Sequence, residues 1–348
     1  MVIESDDWGS VRMPSREVYD ALLKANIRVD KCHYCKYDSV ASEDDLELLF
    51  DVLNSVHDSV GHPAVITANA LVANPDFQRI KGDDFQKYYY TKITEGIPKI
   101  KGCEKSLQLW AEGQKAGFFQ IQSHGREHVN VARWMRYLNG DYPETKYAFD
   151  CGVYGISTSV TSEKRKSFLP AFDFETREEE QQANRIVREA LQLFEEIFGY
   201  KSESFIAPNY TWGSSLEDAL YDSGVHFIQG TSCSKCPSPQ NSVNHYRHTG
   251  KVNQYNQIDI VRNVFFEPSE ENFREIVNSA LADIDKAFKN DRPAVISTHR
   301  VNYISALDVR NRDNGLKQLK SLLSQIVEKW PNVEFMSSDQ LGHLIESK

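Results

Sequence analysis

The sequence predicts an α/β fold in which helices cover parallel strands, and it favours a closed barrel over an open sheet. Extended and helical patterns alternate along the 348 residues, and strands that are separated by helices must pair in parallel. No Gly-x-Gly-x-x-Gly follows the first strand and no Gly-x-x-x-x-Gly-Lys occurs, so nucleotide-binding open sheets lose their main support. Polar clusters follow several strands, which is where barrels carry their active sites.

Apolar residues at helical and strand spacing define the elements of the first half. Leu46, Leu49 and Leu53 recur on one helix face, and Gly117 ends another helix before an apolar extended run. The predicted elements are, in order, an extended segment over 2–5, helices over 16–24 and 43–56, a strand over 63–68, a helix over 107–116 and a strand over 118–123.

A long amphipathic helix over 178–198, stopped by Gly199, opens the second half. The apolar strand that follows, over 204–207, breaks at a proline. The remaining predicted elements are a helix over 215–223, strands over 225–229 and 257–266, a helix over 271–289, a strand over 294–298, a helix over 315–329 and a strand over 333–336. The second half therefore repeats the alternation of the first.

The composition excludes several classes of function. The chain has 50 Asp and Glu against 40 Lys and Arg, a net charge of -10, whereas a duplex nucleic-acid binder needs a basic face. No apolar run approaches the roughly 20 residues that cross a bilayer, so no membrane span is expected. The first residues lack the basic, apolar and small-residue order of a secretory signal, which favours a cytoplasmic location.

The six cysteines include two Cys-x-x-Cys pairs, Cys32/Cys35 and Cys233/Cys236. This is the local spacing of a zinc knuckle, but a zinc ribbon keeps its pairs within a few tens of residues, and these lie about 200 apart. The pairs could meet in one four-cysteine metal site, or each could close a small disulfide. We favour two independent loop pairs without metal, because half a motif is weak support for a site.

Two adjacent carboxylates, Asp6 and Asp7, follow the first extended segment. They repel each other, so a protein has little reason to hold them close unless a cation or a proton is shared there. Aspartate is also common in solvated turns, where Asp7 would only cap the following residues. These residues alone leave both interpretations open.

His124 and His128 stand four residues apart after the strand over 118–123. On a helical turn two such imidazoles lie one above the other, close enough to bind one metal ion. Two unrelated surface histidines are the alternative in a chain with 10 histidines. The strand-end position favours the metal pair.

Two later strands also end in polar residues. The strand over 204–207 leads into Asn209, Tyr210 and Trp212, which could form a sugar-stacking wall or anchor the loop in the core. A second apolar strand ends at His299. A lone histidine is more often structural, but its position beside the other clusters makes it a candidate general acid.

In order and context, these clusters resemble the polysaccharide deacetylases of carbohydrate esterase family four. The shared features are the paired aspartates after the first strand, the His-x-x-x-His motif, the proline-containing aromatic loop and the late strand that ends in histidine. The resemblance spans the chain from Asp6 to His299. It implies one deacetylase-like domain over 1–348, a distorted β/α barrel of about seven strands. It also implies removal of acetyl groups from a saccharide with one divalent metal, most commonly Zn²⁺.

The resemblance assigns a role to each cluster: the metal ligands Asp7, His124 and His128, the general base Asp6 and the general acid His299. The ligand chemistry agrees, because two imidazoles and one carboxylate leave open positions for water and substrate. A backbone N–H near Tyr210 is implied to help hold the developing oxyanion. Asn209, Tyr210 and Trp212 are the expected substrate contacts.

The sequence departs from the family in two places. The family usually has an arginine two residues before the proline of its third motif, which orients the base, and this position is Ile206 here. We expect Arg262 to replace it from the end of a neighbouring strand, the alternative being a surface arginine paired with Asp259 or Glu267. The long insertion around 130–177 is expected either to shape a pocket or to decorate the surface.

Two other functions stay open. The segment His124-x-x-Glu127-His128 also fits the inverted zinc-peptidase signature, with Glu127 as the base. That signature belongs inside a helix, and it leaves the aspartate pair and the late histidine unexplained. A carbohydrate-binding barrel that has lost turnover is the third interpretation, which the missing arginine makes possible.

Overall fold

Eight parallel strands form the centre of the computed structural model, which describes residues 1–239, 242–270 and 275–347. The described residues form twelve strands: β1 (Val2–Trp8), β2 (Ile66–Leu71), β3 (Ala73–Pro75), β4 (Tyr90–Lys92), β5 (Phe119–Gly125), β6 (Ser204–Ile206), β7 (Phe227–Thr231), β8 (Cys233–Cys236), β9 (Val243–Tyr246), β10 (Ile258–Arg262), β11 (Val264–Phe265) and β12 (Val295–His299). The central sheet has the order β10-β7-β6-β5-β2-β1-β12-β11, and its neighbours pair in parallel. The carboxyl ends of these eight strands therefore lie at one end of the sheet.

The sheet nearly closes into a barrel because its two edge strands are consecutive in the chain. β10 pairs with β7, β11 pairs with β12, and only Asn263 separates β10 from β11. The Asn263 N–H donates to the carbonyl oxygen of Val295 at 3.0 Å, and the Asn263 side-chain oxygen accepts from the Val295 N–H at 2.8 Å. β10 and β11 are thus halves of one interrupted strand. The predicted α/β barrel of about seven strands is confirmed.

Helices surround this sheet, and the two largest apolar cores of the described chain lie between helices and the sheet. The described helices are α1 (Arg16–Lys24), α2 (His33–Tyr37), α3 (Glu43–Asn54), α4 (Phe77–Gly82), α5 (Ile93–Gly96), α6 (Ser106–Lys115), α7 (Val131–Leu138), α8 (Pro143–Asp150), α9 (Arg177–Phe198), α10 (Ser214–Asp222), α11 (Ile276–Lys289), α12 (Val309–Lys329) and α13 (Ser338–Glu346). One core joins α3, α6, α11 and α12 to β1, β2 and β5. A second core joins α7, α9 and α10 to β6 and β7.

Local signals set the ends of these helices. A capping box of Ser42 and Asp45 begins α3, and the Thr176 side chain accepts from the Glu179 N–H at the start of α9. Gly199, with φ of 78°, ends α9 as the sequence predicted. No helix of the described chain has the length and apolar character needed to span a membrane.

The predicted strand over 333–336 is wrong. Val333 and Phe335 are buried, which produces a strand-like alternation. The backbone is bonded to the first residue of the chain instead of joining a ladder: the Met336 N–H donates to the carbonyl oxygen of Met1 at 3.0 Å. The first residues of the predicted helix over 271–289 lie outside the described residues, and its described part is α11.

The insertion around 130–177 forms α7, α8 and a long loop that packs beside the barrel mouth. Its aromatic side chains Phe149, Phe168 and Phe172 are buried in the second core with Trp134. Two regions of the loop reach cavities at the mouth, as described below. The insertion therefore contributes to the mouth as well as to the surface.

Candidate active site

A cavity of about 300 Å³ opens at the carboxyl ends of the barrel strands. It collects residues of all four predicted clusters: Asp6, Asp7, His124, His128, Asn209, Tyr210 and His299. Ser157 and Leu169 of the insertion line its wall. Since barrel enzymes carry their chemistry at this end, the cavity is the candidate active site.

A bulge in β1 turns both aspartates towards the cavity. Adjacent residues of a regular strand point to opposite faces. The register between β1 and β2 shifts between Ser5 and Trp8, so that Asp6 and Asp7 together face one residue of β2. Asp7 has φ of 72°, a conformation that costs a non-glycine residue free energy and recurs at functional sites. The bulge thus places two carboxylates side by side.

A second bulge, in β5, presents the first histidine. The register between β2 and β5 shifts so that His124 is the extra residue, and Gly125 has φ of 105°. A Cβ at Gly125 would lie 3.1 Å from the Phe172 ring, so glycine also fits the space. The helical turn predicted for the histidine pair is wrong: His124 lies in the strand and His128 in the loop after it. Their ring centroids are nonetheless 5.3 Å apart.

Asp7, His124 and His128 form a buried group that fits a metal ion. Asp7 Oδ1 lies 3.5 Å from His124 Nε2 and 3.4 Å from His128 Nε2. His124 Nδ1 donates to the carbonyl oxygen of Ile206 at 2.9 Å, which leaves Nε2 as the ligand atom. Asp7 Oδ1 and His124 Nε2 are buried without a hydrogen-bond partner, a costly arrangement that a shared cation removes. Within the described ranges, this trio meets the geometry of a metal site.

The protonation states of these groups suit the same purpose. Burial lowers the pKa of His128 to about 4, so its imidazole is neutral at pH 7. Burial opposes the charge on Asp7, but the facing His128 and the cations of His299 and Arg12 hold the Asp7 pKa well below its usual range. A charged carboxylate and neutral imidazoles are the forms that bind metals.

A buried arginine fixes Asp6 from the opposite end of the chain. Arg262 Nη1 donates to Asp6 Oδ2 at 2.8 Å and Nη2 to Asp6 Oδ1 at 2.6 Å. Arg262 Nε donates to Glu4 Oε2 at 2.6 Å, and Asn69 Nδ2 donates to Asp6 Oδ1 at 2.8 Å. Burial favours the protonated acid, yet Arg262 holds the Asp6 pKa below its ordinary value. Asp6 is therefore a charged carboxylate held in one orientation.

The contact expected between Arg262 and Asp6 is thus present in the structure. The alternative partners of Arg262 are engaged elsewhere: Asp259 accepts from Arg247 at 2.5 Å, and Glu267 lies on the other side of the cavity. The family's arginine position, Ile206, is fully buried in β6.

On that other side, His299 is paired with Glu267. His299 Nδ1 donates to Glu267 Oε1 at 2.6 Å, and Nε2 lies 3.8 Å from Asp6 Oδ2. Asn302 Nδ2 donates to Glu267 Oε2 at 2.7 Å and fixes the carboxylate. Burial opposes the charge on the imidazole, but Glu267 outweighs it and raises the His299 pKa to about 9. His299 is therefore a proton donor at neutral pH.

The aromatic loop contributes two of its three expected residues to the cavity. Asn209 and Tyr210 both have positive φ, 54° and 51°, and both line the cavity. Tyr210 Oη accepts from Arg262 Nη1 at 3.0 Å. The Tyr210 N–H donates to the carbonyl oxygen of Ala207 at 2.9 Å. This N–H closes a turn, and the expectation that a backbone N–H near Tyr210 holds an oxyanion stays a prediction.

Trp212, the third expected residue of this loop, does not line the cavity. Trp212 is 3% exposed and lies in the second apolar core. Its Nε1 donates to Glu217 Oε1 at 3.2 Å, and the Arg247 guanidinium lies 4.3 Å from its ring centroid. These contacts anchor the loop, which was the alternative interpretation of this aromatic segment.

Glu127 is not placed to serve as the base of a peptidase. Arg126 donates to both of its carboxylate oxygens, at 2.5 and 2.9 Å. Glu127 does not line the cavity, and no helix contains the motif. The geometry thus disfavours the inverted peptidase signature.

All six cysteines are free thiols. Cys32 lines the cavity next to the start of α2, Cys35 is buried behind it, and Cys233 and Cys236 lie on the β8–β9 hairpin. Among the described residues the two pairs do not meet in one four-cysteine group.

Several residues of the site escaped the sequence reasoning. Glu4 shares a strand with Asp6 two positions away, and this alternation was an available signal. Asn69 exchanges two hydrogen bonds with Gln229, and both are polar residues inside apolar strands. Glu267 lies two residues after the end of β11, and the sequence indicated it only as a possible surface partner of Arg262. A polar residue inside a buried strand therefore indicates a site as well as one at the end of the strand does.

Solved structures share this fold at low sequence identity. A "putative glycoside hydrolase/deacetylase" from Parabacteroides distasonis matches with a TM-score of 0.52 and 9% identity, over 99% of this chain and 70% of that chain. PuuE allantoinase matches with a TM-score of 0.47 and 10% identity, over 100% and 91% of the two chains. A probable polysaccharide deacetylase from Pseudomonas aeruginosa PAO1 has a TM-score of 0.46 and 10% identity, over 100% and 91%. No family model and no curated protein matches the sequence.

The likeness to the Parabacteroides protein shows a shared fold. At this identity it shows the fold alone. The predicted β/α-barrel fold is thus shared with that solved structure.

Proposed function

We propose that this chain is a metal-dependent hydrolase that removes acetyl groups from a carbohydrate. One observation carries the proposal: a carboxylate fixed by arginine and an imidazole paired with a carboxylate flank a buried Asp-His-His group in one cavity. A general base, a general acid and an open metal site are the parts that acyl hydrolysis needs. The deacetylase-like fold supports the acetyl group and the saccharide as the substrate class.

Asp7, His124 and His128 would hold the metal. Two nitrogen donors and one oxygen donor suit Zn²⁺ and leave positions open, as catalytic sites require. A divalent ion bound there supplies Lewis acidity, which polarises the acyl carbonyl and acidifies water.

Asp6 acts as the base and takes a proton from the attacking water. Its two oxygens are held by Arg262 and Asn69, so it cannot swing towards the metal and become a ligand. Arg262 thereby does the work of the arginine that the resemblance leads one to expect at position 206. This contact also argues against a barrel that has lost turnover.

His299 protonates the leaving amine or alkoxide. Its Nδ1 is engaged by Glu267, so the proton at Nε2 is the one that faces the cavity. The hydrogen bond fixes the ring, and the paired carboxylate keeps it protonated at neutral pH.

A second cavity, of about 910 Å³, adjoins the first and shares Asn209 and Tyr210 with it. Its other lining includes Lys166 and Asp173 of the insertion and Lys235 of β8. A polar cleft of this size supports a saccharide that extends beyond the acetylated sugar. We further propose that 1–348 form one barrel domain in which the insertion around 130–177 supplies a wall of this cleft.

Acetate release from an acetylated saccharide tests the proposal. We expect the zinc-loaded protein to release acetate from acetylated chito- or xylo-oligosaccharides, and His128→Ala to lose both bound zinc and acetate release. His62→Ala is the matched control, because the side chain of His62 is 72% exposed and lies outside the cavity. Acetate release that is equal in His128→Ala and the wild type would refute the metal site. Peptide cleavage without acetate release would favour the peptidase.

A further inference from the structure

Arg12 lies in the wall of the same cavity and has no role in the mechanism above. It follows β1 and lines the cavity beside Asp7 and Tyr34. It is only 5% exposed. Its guanidinium lies 4.7 Å from the centroid of the Tyr34 ring, and that ring makes an edge-to-face contact with the His299 ring. Arg12 is therefore a buried cation close to the reacting groups.

The guanidinium of Arg12 is incompletely paired. Its Nε is buried without a hydrogen-bond partner. Asp7 Oδ2 lies 3.7 Å from Nη1, beyond hydrogen-bond distance. The neighbouring carboxylate of Asp38 is bound by Arg300 at 2.7 Å. Within the described residues, Arg12 thus donates no hydrogen bond to a carboxylate.

In lacking a hydrogen bond to a carboxylate, Arg12 differs from the other buried arginine residues of the described chain. Each of the five others in the described chain donates a hydrogen bond to a carboxylate: Arg126, Arg133, Arg247, Arg262 and Arg300. A buried charge without a partner costs several kcal/mol in general. At Arg12 the nearest carboxylate, Asp7, lies beyond hydrogen-bond distance, so a ligand in the cavity can supply the missing acceptor.

A metal ion bound to Asp7 would increase the need of Arg12 for a negatively charged partner. The carboxylate that lies nearest to Arg12 is the proposed metal ligand, so a dication there would compete for its negative charge. Arg12 would then lack its nearest counter-charge. An anion that enters with the substrate supplies one.

We propose that Arg12 binds a carboxylate of the substrate, carried by the same sugar residue as the acetyl group. The proposal rests on the proposed function and names its substrate class: an acetylated saccharide that contains a uronic acid. The planar guanidinium matches a carboxylate with two parallel hydrogen bonds, which a lysine at this position could not provide. The position beside Asp7 places the anion within one sugar ring of the scissile acyl group.

Binding of sugars without an acetyl group to the zinc-loaded protein tests the subsite without turnover. Isothermal titration with D-glucuronate and with D-glucose should show about 10- to 100-fold tighter binding of glucuronate, the range expected for hydrogen bonds to a charged group. Arg12→Met should abolish this difference and Arg12→Lys should retain part of it. Arg28→Met is the matched control, since Arg28 is exposed and paired with Asp30. Equal binding of the two sugars by the wild type would overturn the proposal, whether or not the Arg12 variants fold.

Turnover by the zinc-loaded protein separates the sources of the anion. The probes are an O-acetylated methyl glucuronoside, the matched acetylated methyl glucoside and a succinylated methyl glucoside. We expect preference for the glucuronoside, and in Arg12→Met a KM raised about 10- to 100-fold for this substrate alone, with kcat retained. Preference for the succinyl ester would move the carboxylate to the acyl group and overturn the assignment to the sugar.

Two further outcomes are informative. A loss of kcat in Arg12→Met that is equal for acidic and neutral substrates would overturn the proposal and make Arg12 an oxyanion donor. Absence of acetate release from every probe, together with Arg12-dependent binding of glucuronate, would contradict the proposed function and leave the anion subsite supported.

Discussion

Each side of the cavity holds a charged side chain in an ion pair, but the charge of the proposed reacting group differs between the two sides. On one side the carboxylate of Asp6 is the proposed base, and Arg262 holds it. On the other side the imidazole of His299 is the proposed acid, and the carboxylate of Glu267 holds it. Each side therefore contains one ion pair at the barrel mouth. The proposed reacting group is negative on the first side and positive on the second.

The two pairs differ in burial and in the number of contacts. Arg262 and Asp6 are 0% and 5% exposed in their side chains, and Asp6 accepts from Asn69 as well. The side chain of His299 is 18% exposed and makes its one charge-assisted bond through Nδ1. A base beside a metal must be kept from ligating it, whereas an acid must reach the leaving group. The comparison indicates that a fixed orientation matters most for the proposed base. Access to the leaving group and a raised pKa matter most for the proposed acid.

Removal of the base should give the largest effect. Asp6→Asn keeps the shape of the side chain, but it removes the negative charge, one oxygen that accepts from Arg262 or Asn69, and the ability to accept a proton. We expect turnover to fall by about 10²–10⁴-fold while the zinc content stays unchanged. Asp20→Asn, on the exposed face of α1, is the control. Zinc loss in Asp6→Asn equal to that in Asp7→Asn would show that the two aspartates have been assigned the wrong way round.

Removal of the arginine should affect stability as well as turnover. Arg262→Met leaves Glu4 and Asp6 buried without their cation, and breaking such a pair destabilises a protein by about 3–5 kcal/mol. Chemical denaturation should show this loss, and turnover should fall with little loss of zinc. Adding Glu4→Gln should recover part of the stability and none of the turnover. Arg310→Met, at an 87% exposed side chain, should stay within about 0.5 kcal/mol of the wild type.

Removal of the acid should give a smaller effect that depends on the leaving group. His299→Asn should retain zinc and lose about 10²-fold in turnover of an acetylated sugar, whose leaving group is basic. The loss should be much smaller with 4-nitrophenyl acetate, because its leaving group departs without protonation. Equal losses with the two substrates would remove His299 from the role of acid.

Weakening the partner of the acid should give the smallest effect, a displaced pH profile. Glu267 raises the His299 pKa to about 9, so the acid form prevails below that pH and is lost above it. Glu267→Gln removes the negative charge and lowers the pKa, which should move the alkaline limb of kcat to lower pH. At pH 5, where His299 is protonated in both proteins, their turnover should be similar. An alkaline limb that does not move would assign it to another group.

The sequence predicted the barrel and the clusters because each depends on short-range patterns. Asp6, Asp7, His124 and His299 each lie in or next to a strand that can be recognised from its apolar run. Arg262 was found by the same reasoning about strand ends. The cavity collects them because parallel strands share one carboxyl end.

The features that the sequence did not predict depend on strand register and on contacts between residues that are distant in the chain. The bulges that turn Asp7 and His124 into the cavity arise from register shifts that periodicity does not reveal. Trp212 is of a residue type that often contacts sugars, but it packs in the second apolar core beside Arg247, which follows a hairpin that the sequence did not indicate. Arg12 belongs to no motif. Among the described residues, only the absence of a hydrogen bond from Arg12 to a carboxylate distinguishes it.

Anomalous diffraction at the zinc edge, from crystals of the zinc-loaded protein, tests the central claim most directly. We predict one ion bound by the carboxylate of Asp7 and the imidazoles of His124 and His128, with Asp6 still bound to Arg262 and outside the coordination sphere. Zinc held by Cys32 and Cys35, or zinc ligated by Asp6, would contradict the account.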